Sequence, residues 1–412
     1  MHILMAHEYY QLPGGEDGVF ESTRDLMRAR GHRVTEYIRC NDEIAAYGTV
    51  AKLTLAGRTV WAGDTQRDLA RLIAASRPDI AHFVNTFPLI SPSAYSACHE
   101  AGVAVVQSID NPRLMCPAGT FFRNGKLCVD CLGKFPWPAV AHACYRDSYI
   151  QSAVTAGMIG IHRIRKTWNR DVDAWLVTTD FYRRKFIDYV GLDAEKLHLR
   201  PNFVEPDPGP RTGPSGDYAL FMGRLSAEKG VVVMIDAWKQ LDVPLKIRGV
   251  GMLEPDVRSF AATRSNVEIG PWVPANAKYE LIKGAGFLVW PSQGYCETFG
   301  NVVAEAYACG VPVIASRTGV AEEMVVDGRT GLFFNAMDSV DLAAKVSWAN
   351  HHPVEMAVMG QNGRKEFESR FTPEIAYQGL LNAYRAAREQ FGSAPIAEDA
   401  YGSALQSGQA GV

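Results

Sequence analysis

Short apolar runs alternate with amphipathic stretches along most of this chain. MHILMA is an apolar run of strand length and LPGGEDG reads as a turn. GVFESTRDLMRARG has helical spacing, with Val19, Leu26 and Met27 at i, i+7 and i+8 and Gly31 as the stop. HRVTEYI, PDIAHFV, VAVVQSI, DAWLVTT and LHLRPNFV read as further strands, with SPSAYSACHEAG and TDFYRRKFIDYVG as helices among them. Such alternation specifies an open parallel sheet. The pattern breaks at VEPDPGPRTGPSGD, residues 204–217, which is rich in Pro and Gly and reads as a linker. It then restarts, with strands in YALFMGRL, PLKIRGVG, NVEIGPW, FLVWPS and VPVIAS and helices in GVVVMIDAWKQL, KYELIKGAG and VAEAYACG. Two doubly wound α/β units with a cleft between them are expected, residues 1–203 and 218–370, then a helix over 371–392 and a frayed tail over 393–412.

Composition narrows the classes. A chain of 412 residues, 47% hydrophobic and 21% charged, has material for two or three cores and the balance of a soluble globular protein. A net charge of −3 with no basic tail or zinc-finger string sets nucleic acid aside as a partner. The longest apolar runs, such as AVTAGMIGI, are too short to span a bilayer, and MHILMAHEYY lacks the basic start of a signal peptide. A cytoplasmic protein is expected, with its eight cysteines reduced unless they bind metal.

Three stretches carry candidate chemistry. Gly14 and Gly15, after Pro13, join the first strand to the first helix, where backbone N–H groups can approach an anion. A plain tight turn explains the pair equally well. In FMGRLSAEKG, Arg224 and Lys229 flank a turn at a strand end, with Gly223 before them. Two converging cations suit a pyrophosphate, and a surface Arg with a Lys paired to Glu228 is the alternative. In GYCETFGNVVAEAYACGVP, Glu297 and Glu305 stand eight apart around a helix start near Gly300 or Asn301, with Thr298 and Asn301 as candidate caps. They fit the acid and base of a glycosidase, clamps on a sugar nucleotide, or a first-turn carboxylate and a solvated one.

GRLSAEKG, PS, E-x7-E, EAYACGVPVIAS and GVAEEMVVDGRTGLFF together resemble the C-terminal half of the retaining group 1 glycosyltransferases of family 4. GGED, GHRV, PDIAHFVNTFPLISPSA, NPRLMCPAG and RPNFV extend the resemblance to about residue 390. It implies the GT-B fold, with the C-terminal helix returning to the N-terminal, acceptor-binding unit. It implies a nucleotide-sugar donor, UDP-linked more readily than GDP-linked, and a saccharide or lipid-linked acceptor. By similarity Arg224 and Lys229 take the diphosphate, Glu305 the ribose and Glu297 the transferred sugar. Phe299, Gly300, Asn301 and Val302 line the donor from the helix start, and Trp272 and Val273 pass the base. Gly14 and Gly15 face the phosphate or the reacting sugar, and Glu16, Asp17, His82, Asn85 and Arg113 are implied on the acceptor side. No cofactor is needed for catalysis, and Asp171-Val172-Asp173 is not expected to bind metal. An epimerase on the same fold is the rival function. At Asp110-Asn111 the family pattern has His-Asn, with that His at the C6 hydroxyl, so the resemblance implies either a donor altered at C5–C6 or an Asp110 that accepts from the same hydroxyl.

Cys116, Cys128, Cys131 and Cys144 have the count for a structural zinc within an insertion over about 112–147, with reduced thiols or a disulfide as rivals. Residues 148–170 carry Ile150, Met158, Ile159 and Ile161, then Arg163, Arg165, Lys166 and Arg170, and Arg183, Arg184 and Lys185 follow. Such a stripe suits peripheral contact with the cytoplasmic face of a membrane, or an ordinary amphipathic helix.

Overall fold

The computed structural model describes residues 1–11, 14–47 and 49–392. Pro13 and the tail expected over 393–412 lie outside the described residues. The first unit has strands β1 (His2–Tyr9), β2 (Arg33–Cys40), β3 (Ile80–Phe83) and β4 (Ala104–Ile109), a small hairpin β5 (Phe122–Arg123) and β6 (Lys126–Leu127), then β7 (Ala174–Val177) and β8 (Leu197–Leu199). The second has β9 (Ala219–Met222), β10 (Leu245–Arg248), β11 (Val267–Gly270), β12 (Phe287–Trp290), β13 (Val313–Ser316) and β14 (Gly331–Phe334). All pairs within the two six-stranded sheets are parallel, in the orders β2-β1-β3-β4-β7-β8 and β11-β10-β9-β12-β13-β14. Central strands such as AWLV and FLVW are buried along their whole length, as helices on both faces of a parallel sheet require.

The strand order reverses between β1 and β3 in one sheet and between β9 and β12 in the other. At such switch points adjacent loops diverge and leave a crevice at the carboxyl ends. One apolar cluster runs from Leu4 and Val105 beneath the first sheet to Leu220, Leu288 and Val303 in the second unit, so the two units share a packed interface. The helix Pro373–Gln390 returns to the first unit: Leu380 and Tyr384 pack on Ile3, Met5 and Leu176. Residues 204–217 cross between the units as irregular chain strapped to the second one, with Arg211 N–H on Cys309 O at 2.9 Å and Asp207 held by Arg364 at 2.7 Å.

Some elements depart from the sequence reading. Three helices, Glu43–Ala46, Thr49–Val60 and Gly63–Ser76, fill the space between β2 and β3, where no element was expected. TVAKLTLAGRTV mixes β-branched residues and a glycine, so its local preference is weak and packing decides. LHLRPNFV yields only a three-residue strand, because Pro201 has no N–H to extend the ladder.

Candidate functional site

The β9–β12 switch point brings two loops into contact. Gly230 has a φ of +74°, and a Cβ there would lie 1.9 Å from Pro291 O, so only glycine lets the loops close. Gln293 N–H donates to Glu228 O at 2.7 Å and fixes their register. Lys229 is thereby aimed at Glu297, with Nζ 2.6 Å from Oε1. The same oxygen accepts from Ser292 Oγ at 2.6 Å and Trp290 Nε1 at 3.2 Å. Burial pushes the Glu297 carboxyl up, but the Lys229 charge and these donors outweigh it and hold it below the usual range. Burial likewise opposes the Lys229 charge, and Glu297 overrides it and raises the amine. Glu228, the alternative partner, instead takes Ser226 Oγ at 2.6 Å. Arg224 is exposed and its guanidinium is unpaired among the described residues. One fixed cation and one free cation therefore stand at the same strand end.

The helix Asn301–Ala308 begins where the sequence places it, but without the side-chain caps expected there. Thr298 Oγ1 donates to Asp110 O at 2.9 Å, and Asn301 Oδ1 accepts from Asn202 Nδ2 at 2.9 Å. Both side chains join the two units instead. Gly300, at φ +116°, makes the N-cap, and a Cβ there would meet the Trp290 ring at 2.7 Å. The N–H groups of Asn301 and Val302 are left without intrahelical acceptors, which makes the helix start an anion site. Phe299 packs edge-on against Phe371, 5.4 Å between centroids, and Val302 lies against the shared core. A Cβ built on Gly15 would fall 3.5 Å from Asn301 Nδ2, so the start of the first helix, Gly15–Ala29, faces this one across the cleft.

Glu305 is bound to Lys278, at 2.7 Å, a residue the sequence reading missed. Burial disfavours the Lys278 charge, and Glu305 more than restores it. The available signal was a lysine in the first half of the helix that leads from β11 into β12. Trp272 and Val273 follow the end of β11, with the Trp272 ring more than half exposed.

On the other wall, Glu16 accepts from Tyr10 OH and Asn111 Nδ2, both at 2.9 Å. Arg113 sits 4.4 Å over the Phe87 ring, with Nη2 3.4 Å from Tyr10 OH. Asp110 directly follows β4, with both carboxyl oxygens buried and without a hydrogen-bond partner. Burial drives its carboxyl up to about 7, with Glu16 adding to the rise and the Arg200 charge opposing it. Tyr10 and Arg200 were not anticipated. A lone Arg in the apolar run LHLRPNFV was the visible sign of the second.

Three expected acceptor residues are structural. His82 lies inside β3, bridging Tyr384 OH at 2.8 Å and Ser108 Oγ at 2.9 Å, and burial pushes it down to about 3. Asn85 folds back on Glu8 O at 2.7 Å and Phe87 N at 3.1 Å. Asp17 accepts from Gly14 N–H at 2.9 Å and contacts His7 at 2.9 Å, which holds the glycine turn in shape. Each of the three is buried and spends its polar atoms on partners within the first unit or the returning helix. Asp173 is likewise structural, accepting from Val105 N–H at 2.7 Å.

Cys116, Cys128, Cys131 and Cys144 line one small cavity and are all free thiols. The β5–β6 hairpin turns through Asn124 and Gly125, both left-handed, as a two-residue turn requires. Among the described residues, no three Cys, His, Asp or Glu side chains are set as ligands of one ion. The expected zinc set is thus gathered in one place without being closed.

Two parallel six-stranded units, closed on each other at their switch points and bound by a returning C-terminal helix, constitute the GT-B fold. Over 93% of this chain and 99% of the other, the backbone superposes on that of HepE from Anabaena, solved in complex with UDP, with a TM-score of 0.65 at 16% identity. Residues 211–366 match the family described as glycosyl transferases group 1. The chain is 34% identical over 173 residues to an uncharacterized glycosyltransferase of Methanocaldococcus jannaschii, 41% of this chain and 48% of that protein. It is 28% identical over 158 residues to the D-rhamnosyltransferase WbpZ of Pseudomonas aeruginosa, 38% of this chain and 42% of the relative. The chain thus spans about half the length of the curated relatives it matches.

Proposed function

We propose that the chain is a retaining glycosyltransferase that moves a sugar from a nucleoside diphosphate sugar, UDP-linked rather than GDP-linked, to a saccharide or lipid-linked acceptor. The observation that carries this reading is the meeting of Arg224, Lys229 and the open start of the Asn301 helix at one switch point. That set neutralises a leaving diphosphate, and a glycosidase substrate has none. Glu297 keeps an oxygen for sugar hydroxyls while Lys229, Ser292 and Trp290 grip the other. Glu305 takes the ribose, with Lys278 orienting it. In this reading the sugar C1–O bond breaks towards the diphosphate, and the acceptor oxygen bonds to C1 on the same face. The acceptor proton passes to the leaving phosphate, so no protein nucleophile is required. Positioning and charge stabilisation supply the rate. Tyr10, Glu16 and Arg113 line the acceptor side.

Thermal shifts against UDP and GDP test the donor. Saturating UDP, at about a hundred times its Kd, is expected to stabilise the fold by roughly 2.7 kcal/mol, a rise of several degrees, and GDP by less. Equal or absent shifts would count against it. The relatives above carry transferase names, which favours transfer over epimerisation. Nucleoside diphosphate released only when acceptor is present is the discriminating result.

The shared cavity of the four cysteines also favours a structural zinc, which their four thiolates would hold. About one zinc per chain by elemental analysis, lost in Cys128→Ser with Cys131→Ser, is expected. An active, metal-free protein would rule the ion out.

A further inference from the structure

The helix Tyr149–Ile164 turns its packed face inward through Thr155, Met158, Ile159 and His162. Met158 and Ile159, counted in the sequence on an outward stripe, are therefore core residues. The face left in solvent is apolar even so. Ile150, Ala153, Gly157, Ile161 and Ile164 recur at helical spacing along it, with Ile150 78% and Ile164 81% exposed. Two aromatic rings adjoin it from the cysteine-bearing insertion. Phe135 lies flat on Gly160, where a Cβ would clash at 2.1 Å, and is still half exposed. Trp137, 63% exposed, opens the short helix Trp137–Ala141 packed alongside.

The charge of the segment is as distinctive as its exposure. Residues 112–170 hold nine Lys and Arg against two Asp and no Glu, a net of +7 in a chain whose total is −3. Arg165 and Lys166 stand exposed just beyond the apolar face. Arg163 donates to Lys134 O at 2.7 Å and ties the helix end to the insertion.

The geometry points to a membrane-docking face: Ile150, Ile161, Ile164, Phe135 and Trp137 enter the headgroup region of an anionic bilayer while Arg165 and Lys166 pair with its lipid phosphates. Exposed aliphatic and aromatic side chains bordered by cations are the chemistry of an interfacial helix. A second copy of the chain is the alternative occupant, and it would not account for the cations that border the apolar face. No helix of the described residues is long and apolar enough to cross a membrane, so contact would be peripheral. The face adjoins Leu114, whose carbonyl accepts from Arg163 Nη2 at 3.4 Å, next to Arg113 on the acceptor wall. Docking there would present that wall to a lipid-linked acceptor.

Co-sedimentation of the full chain with phosphatidylcholine vesicles, plain or one-third phosphatidylglycerol, tests this. Binding to the anionic vesicles is expected, about tenfold tighter than to neutral ones and weakened by salt. Ile150→Ser with Ile164→Ser, and separately Arg165→Glu with Lys166→Glu, should each lose about tenfold. All four side chains are exposed, so the melting temperature and the UDP shift should not change. Equal binding to both vesicles, no binding, or a dimer in light scattering that the serine pair dissolves would each overturn the assignment. The measurement needs no sugar donor, so its failure stands apart from failure of the transferase reading.

Discussion

Lys229→Ala is expected to lower kcat/KM by two to three orders of magnitude and to lower the melting temperature as well. The first effect follows from removing a fixed cation where negative charge develops, which costs about 3–4 kcal/mol of transition-state stabilisation. The second follows from Glu297, whose side chain is 21% exposed and would lose its counter-charge. Arg224→Ala separates the two. Its guanidinium is exposed and unpaired among the described residues, so its loss should cut activity by about tenfold or more and leave the melting temperature unchanged. In Lys229→Ala with Glu297→Ala, stability should recover in part and activity should not, because no carboxylate is then stranded. If Lys229→Ala and Arg224→Ala both keep kcat/KM within about threefold of wild type, the diphosphate reading fails.

Much of this site was legible because its chemistry is local in sequence. Arg224 and Lys229 are five apart, and Glu297 and Glu305 eight apart, each beside a strand end marked by an apolar run. Parallel α/β alternation places such loops at one edge of a sheet, so the motif and the fold support one another. What stayed hidden depends on distant partners. That Lys229 meets Glu297 rather than Glu228 is decided by Gly230 closing on Pro291, which spacing cannot express. Thr298 and Asn301 look like caps because Thr and Asn usually are, yet Asp110 and Asn202 claim them across the interface. His82 and Asn85 lie in a segment that resembles a functional one, and only burial shows that they belong to the core. The outward face of the Tyr149–Ile164 helix could not be told from its inward face, because both are apolar.

Transfer by the wild-type protein should fall about tenfold per pH unit above pH 7, reaching about a hundredfold two units higher, and Asp110→Asn should flatten that profile. An ordinary aspartate is fully ionised at pH 7, and an ionised Asp110 only accepts hydrogen bonds. Here burial lifts the carboxyl to about 7 and neither oxygen has a hydrogen-bond donor, so near neutrality it is protonated about half the time and donates. A donating group where the family pattern has a histidine weakens the argument for a donor altered at C5–C6. Asp110→His would then keep the same donor preference across a nucleotide-sugar panel. Glu8 in β1, which burial lifts to about 8, titrates in the same range, and Glu8→Gln is the control that separates it from Asp110. The donor-side ion pair does not explain an inflection at 7. The Glu297 carboxyl is depressed, so its charge is lost only in acid, and the Lys229 amine is raised, so its charge is lost only in strong base. The ion pair is constant between. Stability gives a second readout with a fixed sign. The folded state holds the Asp110 proton more tightly than the unfolded chain, so its contribution is full below about pH 4 and lost as pH rises through 7. Asp110→Asn, which cannot ionise, should therefore melt higher than wild type at pH 8 and no higher at pH 4. A variant that keeps the wild-type inflection would remove Asp110 from the reaction, whatever its effect on the melting temperature.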